Sequence, residues 1–238
     1  MKNIKENKPT LIKSEENNTT SHIKLTREPV HITLGRFSRI INSEVNGPLF
    51  LDQQSAVNRC KFDSYNGVGC FSYICDSEVG RYNHFGARTS IGGFNHPTDW
   101  LSCANFQYQN TSEVWGISKK NAAQLTINYQ PQKRGVKITH DVWVGDNSVI
   151  LSGVTLGIGC IVAAGSVVTR SVQPYAIVAG NPAKVMKYRF DQETRTRLLE
   201  TKWWLQSLEA LQGINFSDVS DAINEIHRRY QNELWRSA

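Results

Sequence analysis

From Ile138 to Val172 an aliphatic residue returns at every sixth position: Ile138, Val144, Ile150, Leu156, Val162 and Val168. Four residues after each stands a small or β-branched one: Val142, Ser148, Val154, Cys160, Ser166 and Val172. Gly145, Gly157 and Ala163 directly follow three of the aliphatic residues. A helix cannot bury such a set. At about 100° per residue, six steps leave each aliphatic side chain about 240° from the last, so they point three ways. A strand accounts for the pattern locally, because Val142 and Val144 share one face and Trp143 takes the other. Asp146-Asn147 and Ser152-Gly153 supply turn chemistry between short strands. Short strands divided by regular turns, each stacking on the next coil, make a parallel β-helix. Three hexapeptides form one triangular coil of about 18 residues.

A weaker copy lies upstream. Val79-Gly80, Phe85-Gly86 and Ile91-Gly92 are again six apart, with Asn83 and Thr89 at the four-on positions. Leu34-Gly35 and Ile40 begin an N-terminal coil in this reading, with Ser38 and Glu44 four-on, although a glutamate suits no core. Residues 1–30 are polar and are expected to be flexible or peripherally packed. The β-helix is expected over 31–188, interrupted from 94 to about 137 by a segment without the period. That segment holds Asn95-His96-Pro97, Trp100, Phe106, Tyr108, Trp115, Tyr129 and Pro131. A loop this long inside a compact fold is usually functional. The remainder, 189–238, reads as helical. Asp191 is placed to cap a helix through Leu198, Leu199, Trp203 and Leu205, ending by Gly213. Ser217 is placed to cap a second, with Val219, Ile223, Ile226, Tyr230 and Leu234 on one stripe. These helices, with Trp203-Trp204, are expected to cover the last coil, whose open strand edges would otherwise invite aggregation.

Composition narrows the class. No run of about 18 apolar residues occurs, so no membrane span is expected. Met1 to Thr20 has no apolar core of a signal peptide, which makes a cytoplasmic protein the expectation. Five cysteines without a CxxC pair read as reduced thiols, with Cys160 a core filler. A net charge of +6 admits nucleic acid, anionic lipid or a phosphorylated cofactor. The basic residues are interleaved with acids, and no nucleic-acid motif is present.

Two segments carry a family resemblance: His140-Asp141-Val142-Trp143-Val144-Gly145 and Ala179-Gly180-Asn181-Pro182-Ala183-Lys184. The loop Phe94-Asn95-His96-Pro97-Thr98-Asp99-Trp100 and the ending from Arg189-Phe190 to Trp203-Trp204 narrow it. Together they resemble the xenobiotic acetyltransferase class of hexapeptide-repeat acyltransferases. That class takes in chloramphenicol and streptogramin acetyltransferases and related sugar O-acetyltransferases. The likeness covers roughly residues 68–206. It implies a left-handed coil, an exception to the right-handed crossover rule. It also implies acetyl-CoA as co-substrate and a homotrimer with active sites between subunits.

Acetyl transfer to a hydroxyl needs a base for the hydroxyl proton, a held thioester, and donors for the developing oxyanion. Imidazole suits the first task. Of six histidines, His96 alone sits in the irregular segment, and in the family the matching histidine is the general base. Asn95 and Asp99 flank it as supporting residues, Asp99 as a candidate to orient the loop or the ring. Coenzyme A carries a diphosphate and a ribose phosphate, which call for backbone amides and nearby cations. Arg170, Lys184 and Lys187 cluster after the last clear repeats, where a solvated basic face is the plainer alternative. By resemblance, backbone around Ala164 and Thr169 lines the pantetheine groove, with Trp143 outward beside it or at a trimer contact. A covalent route through Cys103 is the less favoured mechanism, since the family transfers directly in a ternary complex.

Two rivals share the repeat. A γ-class carbonic anhydrase needs three zinc-binding histidines across an interface, and the chain lacks a close pair of coil histidines of that kind. A structural or ice-binding β-helix needs flat threonine ladders and no long loop. No metal is expected. For the acceptor, the loop around His96 looks more like those of polysaccharide-modifying enzymes. A sugar hydroxyl of a polysaccharide or its precursor is therefore the expected target. An antibiotic hydroxyl and an amino sugar are the alternatives.

Overall fold

The computed structural model describes residues 11–13, 19–25, 30–93, 95–108, 116, 118 and 135–231. Phe94, Trp115, Tyr129, Pro131 and Leu234 lie outside them. Among the described residues the strands form three sheets of nine, seven and six members, and the chain visits the sheets in rotation. The first sheet runs through Leu49–Leu51, Asn66–Val68, His84–Phe85, Trp143–Val144, Ile161–Val162 and Ala176–Gly180. The second runs through Ala56–Asn58, Tyr73–Cys75, Ser90–Ile91, Val149–Ile150 and Val167–Val168. The third runs through Glu44–Val45, Lys61–Phe62, Ser77–Val79, Val136–Ile138 and Thr155–Leu156. Each pairs in parallel with the strand one coil away, which is the β-helix that the period predicts. All six aliphatic residues of the repeat are buried, and so are the six at the four-on positions. Asn147 at φ 58 and Gly153 at φ 84 make turns where turn chemistry was expected.

Coil length explains why the upstream repeat looks weak. Trp143 pairs with Ile161, a step of 18 residues. Ile32 pairs with Leu49 and Leu49 with Asn66, steps of 17. One side of each upstream coil is a residue shorter. Interior positions fall at Leu34, Ile40, Val45, Leu51, Val57 and Phe62, so the spacing cycles through six, five, six. Glu44 is therefore not at an interior position. It faces outward on the third sheet, in register with Lys24 and Lys61, and Val45 takes the core place. The sheets also start before residue 31. Leu11–Lys13 pairs with Ile32–Leu34, Thr19–Ser21 with Arg39–Ile41, and Lys24–Leu25 with Glu44–Val45. A terminal coil is covered by a neighbour on one side only, so its backbone can pair while its sequence stays polar.

The aperiodic segment is a true insertion. Glu78 pairs with Lys137 and Ser90 with Val149, steps of 59 where the coils before them take 17. The chain leaves the second sheet after Ile91 and returns to the third at Val136, so the loop hangs from the corner between those sheets. Gly92 sits at the exit with φ +78, and a Cβ there would fall 2.1 Å from the Cys75 carbonyl oxygen. On the return, the Val136 amide donates to the Asp76 carbonyl at 3.1 Å.

The C-terminal segment departs from expectation in its path. Ala183–Tyr188 runs antiparallel to Ala176–Gly180 and closes the edge of the first sheet. Helix α1, Gln192–Thr201, is capped by Asp191 as expected, with Oδ1 accepting from the Thr194 amide at 2.8 Å. It stops earlier than its apolar pattern suggested, because Lys202 turns left-handed at φ 45. Helix α2, Val219–Gln231, is capped by Asp218, which accepts from the Asp221 amide at 3.0 Å; Ser217 bonds Asn215 instead. The tail does not lie across the last coil. Leu198 and Ile223 pack on Tyr175 and Ile158, and Leu211 and Ile226 pack towards Tyr82, along the corner between the third and first sheets. Trp204 stacks on His140 with centroids 5.7 Å apart at 20°. His140 Nδ1 accepts from the Arg81 amide at 3.0 Å, and burial pushes its pKa below the ordinary imidazole value. The corner offers the tail an aromatic surface, for Trp203 packs on Tyr82, which stacks on Tyr65. No helix among the described residues is long and apolar enough to cross a membrane.

Candidate active site

Asn95, His96 and Asp99 are all exposed on the insertion, while Pro97 between them is buried and anchors the segment. A short 3-10 turn, Asn105–Gln107, follows, and Gln107 Nε2 reaches back to the Ala104 carbonyl at 3.3 Å. The turn brings two oxygens to one atom of His96. Nδ1 lies 2.8 Å from the Cys103 carbonyl oxygen and 2.8 Å from Tyr108 Oη. A carbonyl oxygen only accepts, so Nδ1 carries a hydrogen, and in the neutral ring the lone pair is then on Nε2. This is the tautomer a general base requires. Tyr108 meets His96 edge-on with centroids 6.3 Å apart, and Trp100 meets Tyr108 edge-on at 6.3 Å. The described contacts that orient the ring thus come from Cys103 and Tyr108, where the sequence pointed to Asp99.

The residues expected at the cofactor divide between two corners of the prism. Trp143 is 53% exposed and stands in the outward row of the first sheet, between His84 and Ile161. That row continues through Ile177 to Lys187. Ala164 is exposed at the corner between the first and second sheets. The coil below it approaches so closely that a Cβ on Gly145 would lie 2.6 Å from the Ala164 nitrogen. Lys184 pairs with Ala179 on the closing strand, on this same side. Thr169 and Arg170 lie elsewhere. They belong to the corner between the second and third sheets, in the column that rises from Gly92-Gly93 through Leu151-Ser152. That is the corner from which the His96 loop springs. One chain therefore places Thr169 and Arg170 with the loop, and Trp143, Ala164, Lys184 and Lys187 across the second sheet from it.

The thiols fit the reading of reduced cysteines. Cys60 and Cys160 are buried, and desolvation pushes both thiol pKa values up to about 12. Cys103 is exposed, and its carbonyl is the atom that touches His96. Among the described residues no group of three or more His, Cys, Asp or Glu side chains could hold a metal ion.

No family model matches the chain. It is 34% identical over 193 residues to a chloramphenicol acetyltransferase of Agrobacterium fabrum strain C58, which covers 74% of this chain and 86% of that protein. A probable macrolide acetyltransferase of Lysinibacillus sphaericus is 37% identical over 126 residues, 53% of this chain and 66% of that one. Among solved structures, a mutant of AntD, an N-acyltransferase from Bacillus cereus in complex with dTDP-4-amino-4,6-dideoxyglucose and coenzyme A, matches with a TM-score of 0.50. It is 15% identical and covers 78% of this chain and 90% of that one. At that identity the structural match speaks for the β-helix fold alone. Long coverage of the first relative, the hexapeptide coils and the histidine loop agree, and the chain belongs to the hexapeptide-repeat acetyltransferases of the xenobiotic class, which take their acetyl group from acetyl-CoA.

Proposed function

We propose that the enzyme acetylates a sugar hydroxyl of a polysaccharide or its precursor, by direct transfer from acetyl-CoA with His96 as general base. The observation that carries the base assignment is the Nδ1 contact to the Cys103 carbonyl, which in the neutral ring puts the lone pair on Nε2. Nε2 takes the acceptor proton as the hydroxyl oxygen attacks the thioester carbon. The tetrahedral intermediate collapses, the carbon–sulfur bond breaks, and the same nitrogen returns the proton to the departing thiolate. Asn95 and Asp99 support the loop around the acceptor. Trp143, Ala164 and Thr169 line the path of the pantetheine arm, and Arg170, Lys184 and Lys187 meet the phosphates.

A homotrimer with sites between protomers accommodates the division of these residues between two corners. The surface chemistry supports it. The outward row of the first sheet runs Phe50, 44% exposed, Gly67, His84, Trp143, Ile161 and Ile177, apolar at four of these six places. The outward row of the third sheet runs Lys24, Glu44, Lys61, Glu78 and Lys137, alternating in sign. The apolar row gains by packing against another protomer, and the charged row is suited to solvent. Such an enzyme works in the cytoplasm, where acetyl-CoA is.

The loop around His96 favours a saccharide acceptor. The likeness to a chloramphenicol acetyltransferase favours an antibiotic hydroxyl as the second reading. Thiol release from acetyl-CoA, followed against nucleotide sugars, oligosaccharides, chloramphenicol and streptogramin A, separates them. The expected result is release with a saccharide and an ester in the product. Release with chloramphenicol or streptogramin A alone would establish the second reading, and an amide product would make the acceptor an amino sugar.

A further inference from the structure

We propose that Tyr108 is a positioning residue for the base. With the Cys103 carbonyl it accepts the Nδ1 hydrogen, and it stabilises the imidazolium that forms during transfer. For its effect on rate this rests on His96 being the base. Two oxygens lie 2.8 Å from the same nitrogen, the Cys103 carbonyl and Tyr108 Oη. The carbonyl cannot donate, so the single hydrogen on Nδ1 lies between two acceptors. Tyr108 then accepts as well, and its own hydroxyl hydrogen turns away from the ring. The alternative, with the tyrosine donating to a bare Nδ1, would set two lone pairs against each other at the Cys103 carbonyl and leave Nε2 protonated, useless as a base.

The pair also acts later in the reaction. When Nε2 takes the acceptor proton, positive charge spreads over the ring and the Nδ1 hydrogen becomes a stronger donor. Both contacts become charge-assisted as the transition state is reached. A carboxylate plays that part in a Ser-His-Asp arrangement. Here two uncharged oxygens play it, seven and twelve residues along the same loop. Tyr108 is suited to the task because its ring is held. Trp100 packs against it edge-on at 78°, and His96 meets it at 63°.

Tyr108→Phe removes the one oxygen and keeps the ring and its packing. The test compares this variant with the native enzyme in nitrogen-labelled histidine spectra, which report the tautomer directly, and in steady-state kinetics. The His96 signal is assigned by its loss in His96→Ala. The native enzyme is expected to show the Nδ1–H form. In Tyr108→Phe the Nε2–H form should gain population, and kcat should fall about 3–10-fold, the worth of one hydrogen bond. The Kd for acetyl-CoA should not move, which a general loosening of the loop would not spare. A native spectrum showing Nε2–H overturns the proposal, and Tyr108→Leu, which also removes the oxygen, serves the same comparison if the phenylalanine variant fails to fold. Unchanged kcat and tautomer in Tyr108→Phe also overturn it. If His96→Ala keeps native kcat, the base assignment fails by itself, and the tautomer measurement still reports on the clamp.

Discussion

Replacing His96 by alanine is expected to lower kcat by about 10²–10⁴, the usual worth of a positioned general base. The Kd for acetyl-CoA, measured by calorimetry, should stay near its native value. The reason lies in the acceptor. A hydroxyl of the kind proposed is a very weak acid and attacks a thioester slowly unless its proton leaves as the new bond forms. His96 has what that task needs: a carbonyl acceptor at Nδ1, an exposed position on the insertion, and no duty in the core. The split between kcat and Kd is the informative part. Loss of both would mean that the loop shapes the cofactor groove rather than carrying the chemistry. Retention of more than about a tenth of native kcat, with binding intact, would mean that another residue is the base.

The second large effect is on stability, at Asn83. This side chain is 2% exposed and joins the coils on either side of the insertion. Its Nδ2 donates to Asn66 Oδ1 at 3.0 Å and to the Thr139 carbonyl at 3.1 Å, and its Oδ1 accepts from the Val142 amide at 2.8 Å. Thr139 and Val142 follow the loop and Asn66 precedes it, so three coils depend on one amide. Asn83→Ala takes this partner from two backbone groups at once, the Thr139 carbonyl and the Val142 amide, while Asn66 Oδ1 keeps the Asn83 backbone amide at 3.1 Å. At about 1–3 kcal/mol for each group left unmade, a total loss of about 2–5 kcal/mol is expected. That is a large part of the stability of an ordinary domain. Urea unfolding at fixed protomer concentration reads it, since association would otherwise shift the midpoint. A loss below about 0.5 kcal/mol would mean that water replaces the amide and that the ladder is not what joins the coils.

How far the fold could be read from the chain depended on coil length. From Ile138 to Val168 a coil takes 18 residues, every side has six, and Val144, Ile150 and Leu156 announce themselves; only the last step, Ile161 to Ile177, shortens to 16. Upstream the coils take 17, and the short side moves each core residue out of a fixed six-residue frame. Glu44 was thereby read in the four-on place that the buried Ser43 fills, with Val45 at the next aliphatic place. The pattern was present, but as six, six, five. The tail was misplaced for a different reason. Trp203 and Trp204 are apolar enough to dock anywhere, and only the aromatic column at Tyr65 and Tyr82 and the ring of His140 show where. At the site, His96 stood out because its segment breaks the period. Its partners did not. A backbone carbonyl such as that of Cys103 has no residue signature, and Tyr108 was one aromatic among several in an aperiodic stretch. That the residues proposed for the cofactor divide between two corners follows from the coil register, which spacing alone leaves open.

The central claim is that the base on one protomer works on a cofactor held largely by another. Subunit mixing tests it most directly. His96→Ala removes the base, and Ala164→Trp fills the exposed corner proposed for the pantetheine arm while leaving the loop native. Each variant alone should be nearly inactive. Unfolded together in equal amounts and refolded, they should form mixed trimers in which some interfaces combine a native loop with a native groove. Activity should then return to about a quarter of the native value if protomers mix at random. A mixture that contains mixed trimers by native mass spectrometry yet stays as inactive as its components would contradict the account, and would place base and cofactor within one chain.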